Sequence, residues 1–497
     1  MTQVRAGDRL TAEDAAFLYL EKDEMPLHIG SVSTFDGVIP FEPLLEYVES
    51  RLPLIPRYRQ RLVTPPFHVG HPTWEDDPDF DLRKHVFLTT LKRGTETELR
   101  KLAGNVFGRV MDRTKPLWDL LLVHGLDGGR CGLIARVHHC LADGVSGAGL
   151  MNVMLNAEAF SPPARAKPKR DQRRPFPGAE TSLADALASS YSEMVNRVLA
   201  AQSATLKILE GLASEQNVGG FQELARMIPG MLTPVERLPF NRPLAGPRRI
   251  AWARYSLDEV KAIKNSRGAT VNDVVLTVLA GAIQRYAELH KVALKNRLLR
   301  LMVPVNVRAK ENDTGYGNQV SMLPVNIPLD IRNPLKLLEE VTQITSTLKA
   351  VHVAELMSLF GTWAGATPAP VQALLGPMAA LIPLPSFNMV CTNVPGPQFP
   401  LYALGHEMLT YYPYVPIGNE MGVCCAIQSY NQRLYFGMTG DVEAAPDLDG
   451  LKVFLDRSFS ELRKAAGITR PRKPRAKPHP VAAPATQPNT APAPLIH

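Results

Sequence analysis

Residues 135 to 147 read Ala135-Arg-Val-His-His-Cys-Leu-Ala-Asp-Gly-Val-Ser-Gly147 (ARVHHCLADGVSG), two adjacent histidines followed by an aspartate and a glycine. The apolar run Cys131 to Val137 leads into them. With Trp118 to Val123 it flanks Gly125-Leu-Asp-Gly-Gly129, the pattern of a β-hairpin. Gly144 to Leu155 (GVSGAGLMNVML) then takes on helical character. The HHCLADG block therefore sits where a strand ends and a helix begins. Its residue types fit three chemistries: a metal site, the base of a proton-transfer enzyme, or a polar turn without chemistry.

Beyond this block the chain is legible in both directions. Ser161 to Gly178 (SPPARAKPKRDQRRPFPG) is a basic Pro-rich linker, and Thr181 to about Leu212 is helical, with Leu183, Leu187, Met194, Val198 and Leu199 as its apolar positions. A second α/β half begins near Arg248. There Thr270-Val-Asn-Asp273 has the spacing of a helix cap and precedes the apolar helix VVLTVLAGAIQRYAELH. Strands are expected at Leu298 to Val307, Gln319 to Ile327, Phe387 to Val394, Gly422 to Ser429 and Leu434 to Thr439, with helices at Pro334 to Val351 and Leu448 to Ala466. The tail after Gly467 is rich in Pro and Ala, lacks periodicity and is expected to be disordered.

A chain of 497 residues exceeds one ordinary hydrophobic core, so two domains are expected. The net charge of +7 is unevenly placed: Ser161 to Gly178 and Gly467 to His497 contribute +5 each, leaving −3 for the rest. A body of that charge excludes an extended groove for a phosphodiester backbone, and no nucleic-acid partner is expected. Five cysteines, an odd number without paired spacing, point to reduced thiols, and the opening MTQVRAGDRLTAED has no apolar core. A cytoplasmic protein follows from both. Leu356 to His406 contains no Lys, Arg, Asp or Glu, but its prolines cut it into pieces far shorter than the roughly 20 residues of a spanning helix. Buried core or a lipid-facing surface are its two readings.

On an extended Cys131 to His139 the side chains alternate, which places His139 with Val137 and His138 with Arg136. Adjacent histidines so disposed do not chelate one ion, and neither HExxH nor CxxC occurs, so no metal is expected. Gly144-Val-Ser-Gly-Ala148 lacks the last glycine of a nucleophile elbow. Cys140 reads as a packing residue or as an acylated thiol. A neutral imidazole, with a reference pKa near ~6.5, suits removal of a proton from a hydroxyl. Asp143 reads as a carboxylate holding the turn, and Gly144 lets the chain turn sharply.

His138-His-Cys-Leu-Ala-Asp-Gly144 resembles the HHxxxDG signature of the CoA-dependent acyltransferase superfamily. The chain as a whole is similar to the bacterial wax ester synthase/acyl-CoA:diacylglycerol acyltransferase family. Asp14 to Glu21 (DAAFLYLE) with Met25 to Gly30 (MPLHIG) looks like its opening, Pro116-Leu117-Trp118 like its PLW motif and Asn272-Asp273 like its ND motif. Pro304 to Arg308 (PVNVR), Gly317-Asn318 and Asn393-Val-Pro-Gly-Pro397 continue the likeness, over roughly residues 8 to 466. Chloramphenicol acetyltransferases and peptide-synthetase condensation domains share HHxxxDG alone.

The resemblance implies an α/β fold of two pseudo-symmetric, chloramphenicol-acetyltransferase-like domains with the active-site tunnel between them. Residues 1–160 form the first and 246–466 the second, joined by the linker and helical crossover of 161–245 and followed by the tail 467–497. It further implies His139 as general base, with His138, Asp143, Gly144 and Asn272 completing the catalytic set. Glu21, Pro116, Leu117, Trp118, Gly317 and Asn318 are implied on the substrate side, and Arg308 as a partner of Asp143. The implied activity moves a long-chain acyl group from acyl-CoA, a co-substrate, to diacylglycerol or a long-chain alcohol, with no resident cofactor. The alternatives are a different hydroxyl or amine acceptor, or a lipid-binding protein of the same fold without turnover. Substrates of this kind imply peripheral association with the inner membrane or lipid droplets.

Overall fold

A computed structural model describes residues 9–141, 153–159, 191–192, 195–196, 198–203, 205–206, 235–306, 320–350, 366–379 and 387–469. The first half opens with helix α1 (Ala12–Leu20), whose start is fixed by the Thr11 side chain accepting from the Asp14 amide. Strand β1 (His28–Phe35), helix α2 (Phe41–Arg51), the short hairpin β2 (Gln60–Val63) and β3 (Thr73–Asp76), β4 (Val86–Thr90) and helix α3 (Glu96–Phe107) follow. The expected hairpin is present as β5 (Trp118–Leu126) and β6 (Arg130–His138), antiparallel, with Gly128 and Gly129 in the left-handed region of its turn.

The second half runs β7 (Arg248–Ser256), α4 (Leu257–Arg267), α5 (Val271–Leu289), β8 (Leu298–Asn306), β9 (Val320–Pro328), α6 (Pro334–Ala350), α7 (Ala369–Ala379) and β10 (Met389–Val394). Then come β11 (Tyr402–Ala403), β12 (His406–Tyr414), β13 (Val423–Tyr430), β14 (Arg433–Asp441) and α8 (Leu448–Ala465). The cap of α5 is reciprocal: the Thr270 hydroxyl accepts from the Asp273 amide and the Asp273 carboxylate from the Thr270 amide. Fourteen of the nineteen residues of α5 are buried, which is why its sequence is apolar on nearly every side. In contrast α8 buries one stripe, Leu448, Leu451, Leu455, Phe459 and Leu462, against it.

Two six-stranded sheets result, ordered β11-β12-β1-β6-β5-β4 and β7-β14-β13-β10-β8-β9. Sequence periodicity does not say which sheet a strand joins, and β12 was not expected as a strand at all. It lies inside the segment 246–466, yet it pairs with β1 in the first sheet, Gly30 opposite Tyr414 and Ser33 opposite Tyr411. The tyrosines of β12 are its physical cause. Tyr412 stacks on Trp252 of β7 at 4.5 Å and Tyr414 on Phe107 of α3 at 3.9 Å, so burying them draws the strand between the halves.

Of the helix expected from Thr181 to about Leu212, the described residues 191–192, 195–196, 198–203 and 205–206 are helical. The basic segment 161–178, the tail from 470 and most of Gly144 to Leu155 lie outside the described residues. Among the described residues no helix is long and apolar enough to cross a membrane.

Candidate active site

The site is built at the end of β6. This strand lies between β1 and β5, with His138 opposite His28 and Val137 opposite both Ile29 and Trp118. Close approach of β1 requires Gly30, since a Cβ there would lie 2.3 Å from the Ala135 carbonyl oxygen and 2.6 Å from the Phe107 ring. The strand stops at His138, so the alternation expected through His139 ends one residue early. From there the backbone is pinned on both sides: the His138 amide donates to Leu117 O at 2.9 Å and the His139 amide to Leu27 O at 3.0 Å.

The two histidines consequently occupy different environments. His138 is fully buried, and its Nδ1 accepts from the Cys140 amide at 3.2 Å. That bond leaves the ring proton on Nε2, which faces Glu21 Oε1 at 3.3 Å, an electrostatic contact rather than an aligned hydrogen bond. His139 is half-buried, and its ring stacks on Phe17 of α1 at 3.9 Å with the planes 8° apart. One imidazole is locked by neighbours on both nitrogens. The other lies on an aromatic platform.

Glu21 terminates α1, and its side chain is 2% exposed. Oε1 accepts from the Leu27 amide at 2.8 Å and Oε2 from Arg113 Nη2 at 2.9 Å. Burial alone pushes this carboxyl up. His138, the Leu27 amide and Arg113 outweigh burial and hold it at about 2. Glu21, implied on the substrate side, is thus placed beside His138.

Cys140 is buried, with its Sγ 3.0 Å from His138 Nδ1. Burial, then the Asp14 and Glu21 carboxylates, raise its thiol well above the usual range, so it is protonated and a poor nucleophile. His28 is fully buried between Phe107 and Tyr414, and burial with nearby Arg136 and His138 keeps its ring neutral at physiological pH.

The PLW motif lies beside this turn. Leu117 is fully buried against Leu10, Ala15, Leu18 and Cys140, and its carbonyl receives His138. Pro116 is buried too. Trp118 is the member that meets open space, fixed by its Nε1 donating to Tyr58 O at 2.7 Å and by His85 stacked at 4.8 Å. The space is a cleft of about 710 Å³, counted with its open mouth, between the two sheets. Ile29, Trp118 and Val137 form one wall, and Thr392, Val394 and Ile427 the other. Asn393, between two of those lining residues, donates to Asn272 Oδ1 at 3.5 Å, a long contact that ties the first turn of α5 to β10.

Asp143, Gly144, Arg308, Gly317 and Asn318 lie outside the described residues. Phe17 and Arg113 are the site residues that sequence reasoning missed. Phe17 had a signal, because its i, i+4 spacing from Glu21 puts both at one face of α1. Arg113 had none, since 92 residues separate it from its carboxylate. Among the described residues no group of histidines, cysteines and carboxylates is placed to hold a metal ion.

Two α/β halves around a cleft, with His138 and His139 where a central strand ends and an HHxxxDG sequence running on from them, define the acyl-transfer class of two-sheet folds. The first condensation domain of the calcium-dependent antibiotic synthetase superposes with a TM-score of 0.56 at 16% identity, over 93% of this chain and 97% of that one. The wax ester synthase/diacylglycerol acyltransferase of Marinobacter aquaeolei VT8 does so with a TM-score of 0.63 at 23% identity, over 93% and 100%. At those identities the likeness is one of fold.

The family follows from sequence. The wax ester synthase/diacylglycerol acyltransferase catalytic domain matches residues 10–275, and the C-terminal domain of the same family matches residues 316–463. The probable diacylglycerol O-acyltransferase tgs2 of Mycobacterium tuberculosis is 31% identical over 480 residues, covering 93% of this chain and all of that protein. A second from that organism, tgs1, is 29% identical over 463 residues, 92% of this chain and 96% of its own. The chain belongs to the wax ester synthase/diacylglycerol acyltransferase family and is an acyltransferase.

Proposed function

We propose that the protein transfers a long-chain acyl group from acyl-CoA to the hydroxyl of diacylglycerol or of a long-chain alcohol, with His139 as general base. The observation that carries this reading is the contrast between the histidines. His138 is fully buried, with Nδ1 accepting from the Cys140 amide and Nε2 3.3 Å from Glu21, while His139 is only half-buried, its ring face on Phe17. His139 takes the proton of the acceptor hydroxyl as its oxygen bonds to the thioester carbonyl carbon. The tetrahedral intermediate collapses by breaking the carbon–sulfur bond, and the imidazolium returns the proton to the CoA thiolate. Ester and free CoA leave.

Transfer is direct within a ternary complex, because the buried, protonated Cys140 is no acyl carrier. The neutral amide of Asn272 is assigned to the developing oxyanion. No step is assigned to a resident cofactor or metal. Both acceptors partition into lipid, so the enzyme meets them as a peripheral protein at a membrane or droplet surface. Exposed Phe67 and Leu374, on neighbouring elements beside α1, support such a contact.

The test is turnover of radiolabelled long-chain acyl-CoA by the purified protein against diacylglycerol, hexadecanol and a long-chain amine. Labelled triacylglycerol or wax ester is expected. Amide product alone, or no product with any acceptor, overturns the reading.

A further inference from the structure

Arg113 stands outside every motif of the sequence, yet one of its nitrogens serves two groups of the site. Its Nη2 donates to Leu18 O at 2.9 Å and to Glu21 Oε2 at 2.9 Å. Leu18 lies in the last turn of α1, which has no basic residue of its own. The carbonyl end of a helix is the place where a cation is favoured, and Arg113 supplies one from the loop before β5.

We propose that Arg113 is a positioning residue for acyl transfer, a single guanidinium that clamps the end of α1 to the Glu21 carboxylate and so sets both histidines of the turn. The two branches are on the page. Through Leu18 the clamp holds the turn of α1 that carries Phe17, the platform under His139. Through Glu21 it holds the carboxylate that faces His138. His138 and His139 are consecutive, and their amides are fixed to Leu117 and Leu27, so their side chains depend on what packs on each ring.

A surface ion pair contributes little, and the Arg113 side chain is 47% exposed. The carboxylate end of this pair is not at the surface, since Glu21 is 2% exposed. Among the described residues the charged and titratable groups that face Glu21 are few. His138 comes from β6, Arg113 from the loop before β5 and His28 from β1, with Asp14 of α1 and the Cys140 thiol close by. His28 is held neutral and Cys140 is protonated, so Arg113 is the permanent cation bonded to Glu21. A lysine in its place would offer a point charge without the planar fork.

The test uses the full chain with Arg113→Met, Arg113→Lys, Glu21→Gln and the Glu21→Gln/Arg113→Met double variant. Arg113→Met should lower kcat by about 10- to 100-fold with little change in KM, the loss typical of misplaced catalytic groups. Arg113→Lys should recover part of the rate. The double variant should lose less than the product of the two single losses, because both substitutions cut the Glu21 branch.

Wild-type kcat in Arg113→Met, or losses that multiply in the double variant, overturn the proposal. If Arg113→Met does not fold by near-ultraviolet circular dichroism, the same cycle with Arg113→Lys decides it by the same criteria. The proposal rests on His139 as the base, and a second readout separates the two. Diethyl pyrocarbonate labelling of His139, mapped by mass spectrometry, should be faster in Arg113→Met even if acyl-CoA is not the donor. Equal labelling rates overturn the clamp whatever the outcome with acyl-CoA.

Discussion

Where the first sheet ends at His138, the polar groups are ionic and already paired: Glu21 with Arg113 and His138, and Asp119 with Arg136 on the wall of the cleft at 2.8 Å. Where the second sheet meets the same cleft, they are, among the described residues, neutral: Thr392, Gln428 and, behind the wall, Asn393 joined to Asn272. The halves share an α/β build but not a chemistry. A buried carboxylate biases the first toward holding positive charge, which suits a histidine that gains and loses a proton. Amide and hydroxyl dipoles without net charge suit a transient oxyanion, because they need not be neutralised before or after it forms.

The sharpest way to break this contrast is at His139. Its replacement by alanine should lower turnover by about 10²- to 10⁴-fold, the usual contribution of a general base, with thermal unfolding unchanged. Wild-type rates would remove proton transfer from the first half altogether. On the other side, Asn272→Ala should cost about 10²-fold in kcat, the lower end for loss of one oxyanion donor. An effect confined to KM would reassign Asn272 to ground-state binding.

A smaller effect, read in stability, tests the ionic half by itself. Glu21 is held at about 2 in the folded chain against an ordinary 4.5, so its stabilisation is complete above the unfolded value and lost as pH falls towards 2. Glu21→Gln should flatten the rise of unfolding free energy between pH 2 and 5 and lower it by on the order of 3 kcal/mol at neutral pH. Parallel pH curves for the two proteins would show that the carboxylate is not so held. The smallest change is expected at Cys140, whose amide still donates to His138 Nδ1 when the sulfur, 3.0 Å from the same nitrogen, is removed. Cys140→Ala should keep turnover near wild type, and intact-protein mass spectrometry after acyl-CoA treatment should show no acyl adduct on the native chain.

Those elements of the second half that could be read were legible because burial on nearly every side leaves an apolar run between turn and cap signals, whereas β7, α4 and α7 were not expected. Helix α5 begins at its Thr270 cap, and β13 and β14 start and stop within two residues of the expected limits. The hairpin under the histidines was equally plain from its glycines. Strand β12 was missed although Leu409 to Tyr414 is rich in Tyr and Thr, because its partner lies in the other half and nothing local marks that pairing. In the site, the turn and its two histidines could be read, and the resemblance added Glu21 and Trp118. Their geometry could not be read. That Glu21 faces His138 and not the cleft, and that Arg113 reaches Glu21, depend on chain segments far apart in sequence.

The crossing of β12 into the first sheet also has a consequence in time. Thr34 and Thr410, which share a 2.7 Å hydrogen bond across that pairing, are 376 residues apart. A ribosome adding about 5 to 20 residues per second makes β1 wait roughly 20 to 75 seconds for its neighbour. Throughout that interval the strand carrying His28 and Gly30 is an open edge beside β6, available to any other extended chain. The half that holds the two histidines is synthesised first, yet its sheet closes only after most of the second half has been made, so a nascent chain released before Tyr414 has a strand edge in place of a finished sheet.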